Sequence, residues 1–144
     1  MSLEENKAIV CKMIEAINEQ NLALLDELMA PDLVLHMHDQ QMQGWEVSRQ
    51  VIEGEIKAFP DLHVTIEDSI AEGDKVCVRL QETATHAGEY RGLAPTGNKL
   101  SYTVVTIWRL VEGKIVEGWI IYDQLDFLKQ LGFIKYKGFP DEAM

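Results

Sequence analysis

Basic residues are scarce in this 144-residue chain: 13 Lys and Arg stand against 24 Asp and Glu, a formal net charge of −11. Nucleic acids and anionic membranes are bound by clustered Lys and Arg that displace counterions, so neither is an expected partner. Cysteine is almost absent. Cys11 falls in a helical pattern and Cys77 in a strand pattern, without CxxC spacing, which predicts two reduced thiols in a cytoplasmic protein. No window approaches the roughly 18 apolar residues of a membrane span. The polar start Ser2-Leu3-Glu4-Glu5-Asn6-Lys7 does not read as a signal peptide. Repeats, linker composition and low-complexity runs are also missing. What remains is an ordinary globular composition, 47% hydrophobic and 26% charged, predicting one domain over residues 1–144 with a substantial core.

The hydrophobic pattern changes period along the chain. Residues 3–20 read as an amphipathic helix with Ile9, Val10, Met13, Ile14 and Ile17 on one stripe. Asn21 looks like the N-cap of a short second helix, and 33–38 reads as a strand. A third helix over about 45–59 carries Val47, Val51, Ile52, Ile56 and Phe59 on one side and stops at Pro60. From Leu62 the period becomes two. Leu62, Val64 and Ile66 alternate with polar residues, Glu72-Gly73-Asp74-Lys75 turns, and Val76, Val78 and Leu80 alternate again. After a Gly- and Pro-marked loop over 88–98, residues 100–110 and 115–122 form a second hairpin, and 124–131 a closing helix before Gly132. Helices followed by strands predict an α+β class: a strongly curved antiparallel sheet wrapped around the N-terminal helices.

Such a sheet encloses a cavity, and residues near its mouth can reach a ligand. Alternation from Val76, Val78 and Leu80 places Glu82, Ala84 and His86 on the inner face, unless a bulge turns Glu82 out to a salt bridge. Tyr102, Thr106 and Trp108 share a face; with Trp45, Phe59, Trp119 and Tyr122 they can wall a substrate pocket. Strand alternation also puts Ile115, Glu117, Trp119, Ile121 and Asp123 on one face. Asp123 has two readings, a helix N-cap or a general acid/base at the rim of an apolar site. His36-Met37-His38-Asp39 has the spacing of two strand ligands, but no third ligand is marked, so no metal is expected. His63 reads as outward and structural.

The run Thr85-His86-Ala87-Gly88-Glu89-Tyr90-Arg91-Gly92-Leu93-Ala94-Pro95-Thr96-Gly97-Asn98-Lys99, then Gly113-Lys114-Ile115-Val116-Glu117-Gly118-Trp119 and Asp123, resembles the SnoaL-like polyketide cyclase (ester-cyclase-like) family of the NTF2-like superfamily. Asn6-Lys7, Ala30-Pro31-Asp32, His36 and Phe59-Pro60-Asp61-Leu62-His63-Val64 extend the resemblance to about residues 5–132. It implies an α+β cone around a hydrophobic pocket and an intramolecular aldol condensation without metal or cofactor, using an aspartate as acid/base. Asp123 matches that aspartate, and His36 or His86 would be the assisting histidine. Gly118 stands directly before the Trp, where many members carry a histidine. The ligand implied is a small apolar carbonyl compound. The strands around 102–110 and 118–122 are apolar on both faces, which predicts a homodimer packed sheet to sheet. The alternative is a non-catalytic ligand-binding or dimerisation module of the same fold.

Overall fold

A computed structural model describes residues 1–135; residues 136–144 of the expected domain lie outside the described residues. The elements are α1 (Leu3–Asn18), α2 (Leu22–Leu28), β1 (Met29–Met37), β2 (Gln40–Gln43), α3 (Trp45–Ala58), β3 (His63–Glu72), β4 (Lys75–Thr85), β5 (Lys99–Val111), β6 (Lys114–Tyr122) and α4 (Gln124–Leu131). Side chains cap three of the helices. Ser2 accepts from the Glu5 N–H at the start of α1, Asn21 from Leu24 at α2, and Asp123 from Asp126 at α4. Gly132, at φ 88°, closes α4 in the left-handed region that glycine enters freely.

The six strands form one open, curved α+β sheet in the order β2-β1-β6-β5-β4-β3. Every neighbouring pair is antiparallel but β1 and β6, which run parallel. This corrects the all-antiparallel expectation. The chain between them contains the rest of the sheet, so β6 returns to β1 as a non-sequential neighbour. The short strand β2 is a further difference: Gln40-Gln41-Met42-Gln43 has no apolar alternation to announce it, and it forms because His38, at φ 56°, turns the chain back along β1.

Register shifts interrupt the ladders of β1–β6, β3–β4 and β5–β6. Each inserts local twist and bends the sheet toward the helices. On the concave side Leu35, Val76, Val78, Leu80, Val104, Trp108, Leu110 and Ile115 pack with Val10, Met13 and Ile14 of α1 and Trp45 of α3. A second cluster of Ala58, Phe59, Ala84, Leu100, Phe127 and Leu131 lets α4 close one end. Asn18 ties α1 to β3 by donating to the Val64 carbonyl at 2.9 Å and accepting from the Val64 N–H at 2.7 Å.

Candidate functional site

Helix α3 crosses the concave face and presents Trp45, Ser48, Ile52 and Glu55, with Phe59 just past its end, the three-and-four spacing of a single helical face. Opposite stand Leu80 and Glu82 of β4, Tyr102, Val104, Thr106 and Trp108 of β5, and Ile120 and Tyr122 of β6. Together with α1, α2 and Phe127 of α4 they enclose a cavity of about 170 Å³. Its walls are mostly aliphatic and aromatic, the usual character of a small-molecule site.

Two carboxylates, Glu55 and Glu82, stand among the polar groups that line this cavity. Glu82 faces Tyr102 directly across the β4–β5 ladder. Burial raises the Glu82 pKa, and hydrogen bonding with the Tyr102 hydroxyl works against that rise. Glu55 reaches the same region from α3. It is half-buried as a residue, yet desolvation of its carboxyl, followed by repulsion from Glu82, pushes it up to about 7, with Arg91 opposing. Burial raises the phenols as well: Tyr122 to about 12, and Tyr90 and Tyr102 upward. Arg91 lies over the Tyr90 ring, 5.4 Å from its centroid.

Of the residues expected in the pocket wall, Trp45, Phe59, Glu82, Tyr102, Trp108 and Tyr122 line this cavity. The Trp45 indole donates to Asp26 at 2.8 Å, and that of Trp108 to Thr106 at 2.9 Å. Trp119 does not line it. Arg109 pairs with Glu117 and Leu110 with Ile115, leaving Val116 as an extra residue, so Ile115 points inward while Glu117, Trp119 and Ile121 point out. The face shared by Ile115 and Trp119 under strict alternation is therefore split. Gly118 takes the inward place beside the Trp108 ring, where a Cβ would lie 2.3 Å from Trp108 Cζ3.

The expected catalytic residues are not brought together. His36 sits on the convex face because Leu35 of β1 takes the inward place. Its ring stacks on Trp119 with centroids 5.2 Å apart, and its Nε2 lies 2.7 Å from Glu117, which also accepts from Arg109 at 3.1 Å. Glu117 is held below the usual carboxylate range by these partners, His36 first. His38 leaves the strand and meets the edge of Tyr122, so the two histidines diverge. Among the described residues no cluster of three His, Cys, Asp or Glu has metal-binding geometry.

His86 is on the inner face but behind the cavity wall, 0% exposed. It accepts from the Thr96 N–H at Nδ1 (3.2 Å), with the Thr96 hydroxyl 2.9 Å from the same atom; its backbone exchanges bonds with Asn98 and Gly97. It fastens the loop over 88–98, whose Gly88 passes so close to α3 that a Cβ would sit 2.1 Å from the Lys57 carbonyl. Asp123 is exposed, caps α4 at 2.9 Å from the Asp126 N–H, and is not among the cavity-lining residues.

Glu55 and Ser48 were missed, although a signal existed. Both lie three or four residues from Ile52 on the apolar stripe of α3. Val51, Ile52, Ile56 and Phe59 of the expected stripe line the cavity and only Val47, 46% exposed, does not. The polar side chains of Ser48 and Glu55 carry no apolar signal of their own, and the packing of Trp45 into the core turns them inward.

A model of the SnoaL-like polyketide cyclase family matches residues 7–131. Among solved structures the chain is similar to AclR, a proposed hydroxylase from Streptomyces galilaeus, with 34% identity and a TM-score of 0.86 over 99% of this chain and 88% of that one. IdmH, a proposed polyketide cyclase from Streptomyces antibioticus, shares 33% identity with a TM-score of 0.75, covering 88% of this chain and 98% of the other. An NTF2-like protein of unknown function from Burkholderia pseudomallei K96243 shares the fold at 17% identity and a TM-score of 0.77, over 91% and 98% of the two chains. Among curated sequences no relative matches. Among the described residues no helix is long and apolar enough to cross a membrane.

Proposed function

We propose that this protein, which belongs to the SnoaL-like polyketide cyclase family, transfers protons on a small apolar carbonyl compound held in its cavity. The observation that carries the reading is the pair of desolvated carboxylates, Glu55 and Glu82, in a largely apolar enclosure. Near neutral pH like charges so placed favour one proton between them. In this reading Glu55, pushed up to about 7, holds the proton, and Glu82, beside the Tyr102 hydroxyl, is the base.

In the proposed step the Glu82 carboxylate removes a proton next to the substrate carbonyl. The C–H bond breaks, an O–H bond forms, and the electron pair passes into the enolate. Protonated Glu55 donates to the oxygen where charge develops, in a site where little water competes. Tyr102 holds Glu82 in place. If a second carbonyl of the same molecule lies within reach, the enolate carbon bonds to it and the new alkoxide takes the proton from Glu82, an aldol-type cyclisation. No step calls for a metal or cofactor. Asp123 serves this reading as the cap of α4, and His86 as the fastener of the 88–98 loop.

The test is deuterium exchange at the methyl group of acetonaphthone in D₂O, followed by NMR. The wild-type protein should accelerate it, and Glu82→Gln should lose about 10²- to 10⁴-fold of that acceleration, the usual worth of a positioned base. Binding without exchange would favour the ligand-binding module instead.

The convex face belongs to the same proposal. Ile121 is 60% exposed beside half-buried Trp119, Val105 and Ile107, an apolar strip suited to a second copy in a homodimer. Ile121→Glu should convert a dimer to a monomer in analytical ultracentrifugation; a wild-type monomer at micromolar concentration would remove the idea. A cytoplasmic location, expected from two free cysteines, is part of this reading.

A further inference from the structure

Ser48 lines the cavity, is 1% exposed, and its Oγ has no hydrogen-bond partner among the described residues. Serine within a helix commonly returns its hydroxyl to the carbonyl four residues back. Among the described residues the Gly44 carbonyl is met by the Ser48 N–H alone, at 3.4 Å. A buried hydroxyl without a partner is costly and uncommon, and one that lines a cavity can be satisfied by what enters it.

Its position relative to the carboxylates is set by the helix. Ser48 and Glu55 are seven residues apart, so they share one face of α3 with about 10 Å between them along the axis. The wall between them is Val51 and Ile52. Across the cavity β5 repeats the arrangement. Tyr102 and Thr106 lie four residues apart on the inner face, about 13 Å, with Val104 between. Phe59, just past the end of α3, and Tyr102, near the start of β5, both pack on the Phe127 ring, with centroids 6.2 and 5.1 Å from it, so the C-terminal end of α3 stands near the start of β5. Ser48 is then at the opposite end, toward Trp45.

We propose that Ser48 forms a second polar subsite for a ligand oxygen remote from the reacting carbonyl. The ligand class is an elongated apolar ketone carrying a hydroxyl or second carbonyl at its far end. Ser48 donates to a carbonyl or exchanges a hydrogen bond with a hydroxyl, and the aliphatic wall accepts the hydrocarbon between. The subsite rests on the cavity being a ligand pocket, as the proposed function requires, but not on Glu82 acting as a base.

Two probes separate the cases: acetonaphthone with a hydroxyl on the far ring, and the same compound with a methyl in its place. Isothermal titration of the wild type should show the hydroxy probe binding about tenfold tighter, the worth of one added hydrogen bond. Ser48→Ala should erase that preference by weakening the hydroxy probe alone. It should also melt at or above the wild-type temperature, because it removes an unpaired polar group. Glu82→Gln should keep the preference while losing exchange. Equal preference in wild type and Ser48→Ala would overturn the subsite and leave a water at Ser48. A lower melting temperature, with both probes weakened together, would make Ser48 structural. If neither probe binds the wild type, the ligand-pocket reading falls and the subsite with it.

Discussion

The two faces of the sheet carry similar chemistry with opposite consequences. On the convex face Glu117 lies beside His36 and Trp119; on the concave face Glu82 lies beside Tyr102 and near Glu55. Each is a carboxylate among aromatic residues. Glu117 has Arg109 and His36 as hydrogen-bonding partners, and its pKa falls. Glu82 is desolvated, and its pKa rises despite help from Tyr102. A neighbouring histidine is therefore a poor guide to proton-transfer chemistry. Loss of water without a compensating cation is the better one.

The largest effect should separate these two carboxylates directly. Glu117→Gln should leave acetonaphthone exchange unchanged, while Glu82→Gln loses the 10²- to 10⁴-fold expected of a base. Equal losses in the two variants would erase the distinction between the faces.

The pH dependence sharpens it next. The Glu55 pKa is raised from 4.5 to about 7 in the folded state. Between those values the native protein binds more protons than the unfolded chain, so stability is full below about 4.5 and falls as pH rises through about 7. Glu55→Gln should flatten that slope and raise stability at pH 8 by no more than about 3 kcal/mol. Exchange should also decline above about pH 7, as Glu55 loses the proton it donates. Denaturant melts and rates across pH 4–9 check both; a stability that rises from pH 5 to 8 would contradict the assignment.

Packing differs between the faces in the same sense. Gly118→Ala would press a methyl into the Trp108 ring and should cost about 1–3 kcal/mol. Ile121→Ala, on the exposed convex side, should stay within about 0.5 kcal/mol for the monomer. Calorimetry of the two variants provides the comparison.

The smallest effect concerns Asp123. As the cap of α4, its replacement by Ala should cost about 1 kcal/mol and by Asn a few tenths. Exchange should persist in Asp123→Asn; a loss comparable to that of Glu82→Gln would return Asp123 to the chemistry.

Period and punctuation in the sequence were enough to determine the α+β class, the Asn21 cap, the stop at Gly132 and the two hairpins. They also put Tyr102 and Trp108 on one face and offered Glu82 and Tyr122 for the pocket, with Glu82 left open between the inner face and a bulge that turns it out, because the two-residue pleat is encoded residue by residue. Facing broke down where one residue of slack enters a strand. Val116 has no feature marking it as a bulge, yet it sends Trp119 to the opposite side from Ile115. The parallel pairing of β1 with β6 was equally out of reach, because it is set by contacts between segments far apart in the chain. Tertiary structure alone brought Glu55 to Glu82 and left Asp123 in solvent. The electrostatics of a carboxylate depend on the water and charges around it, and those are supplied by the assembled fold.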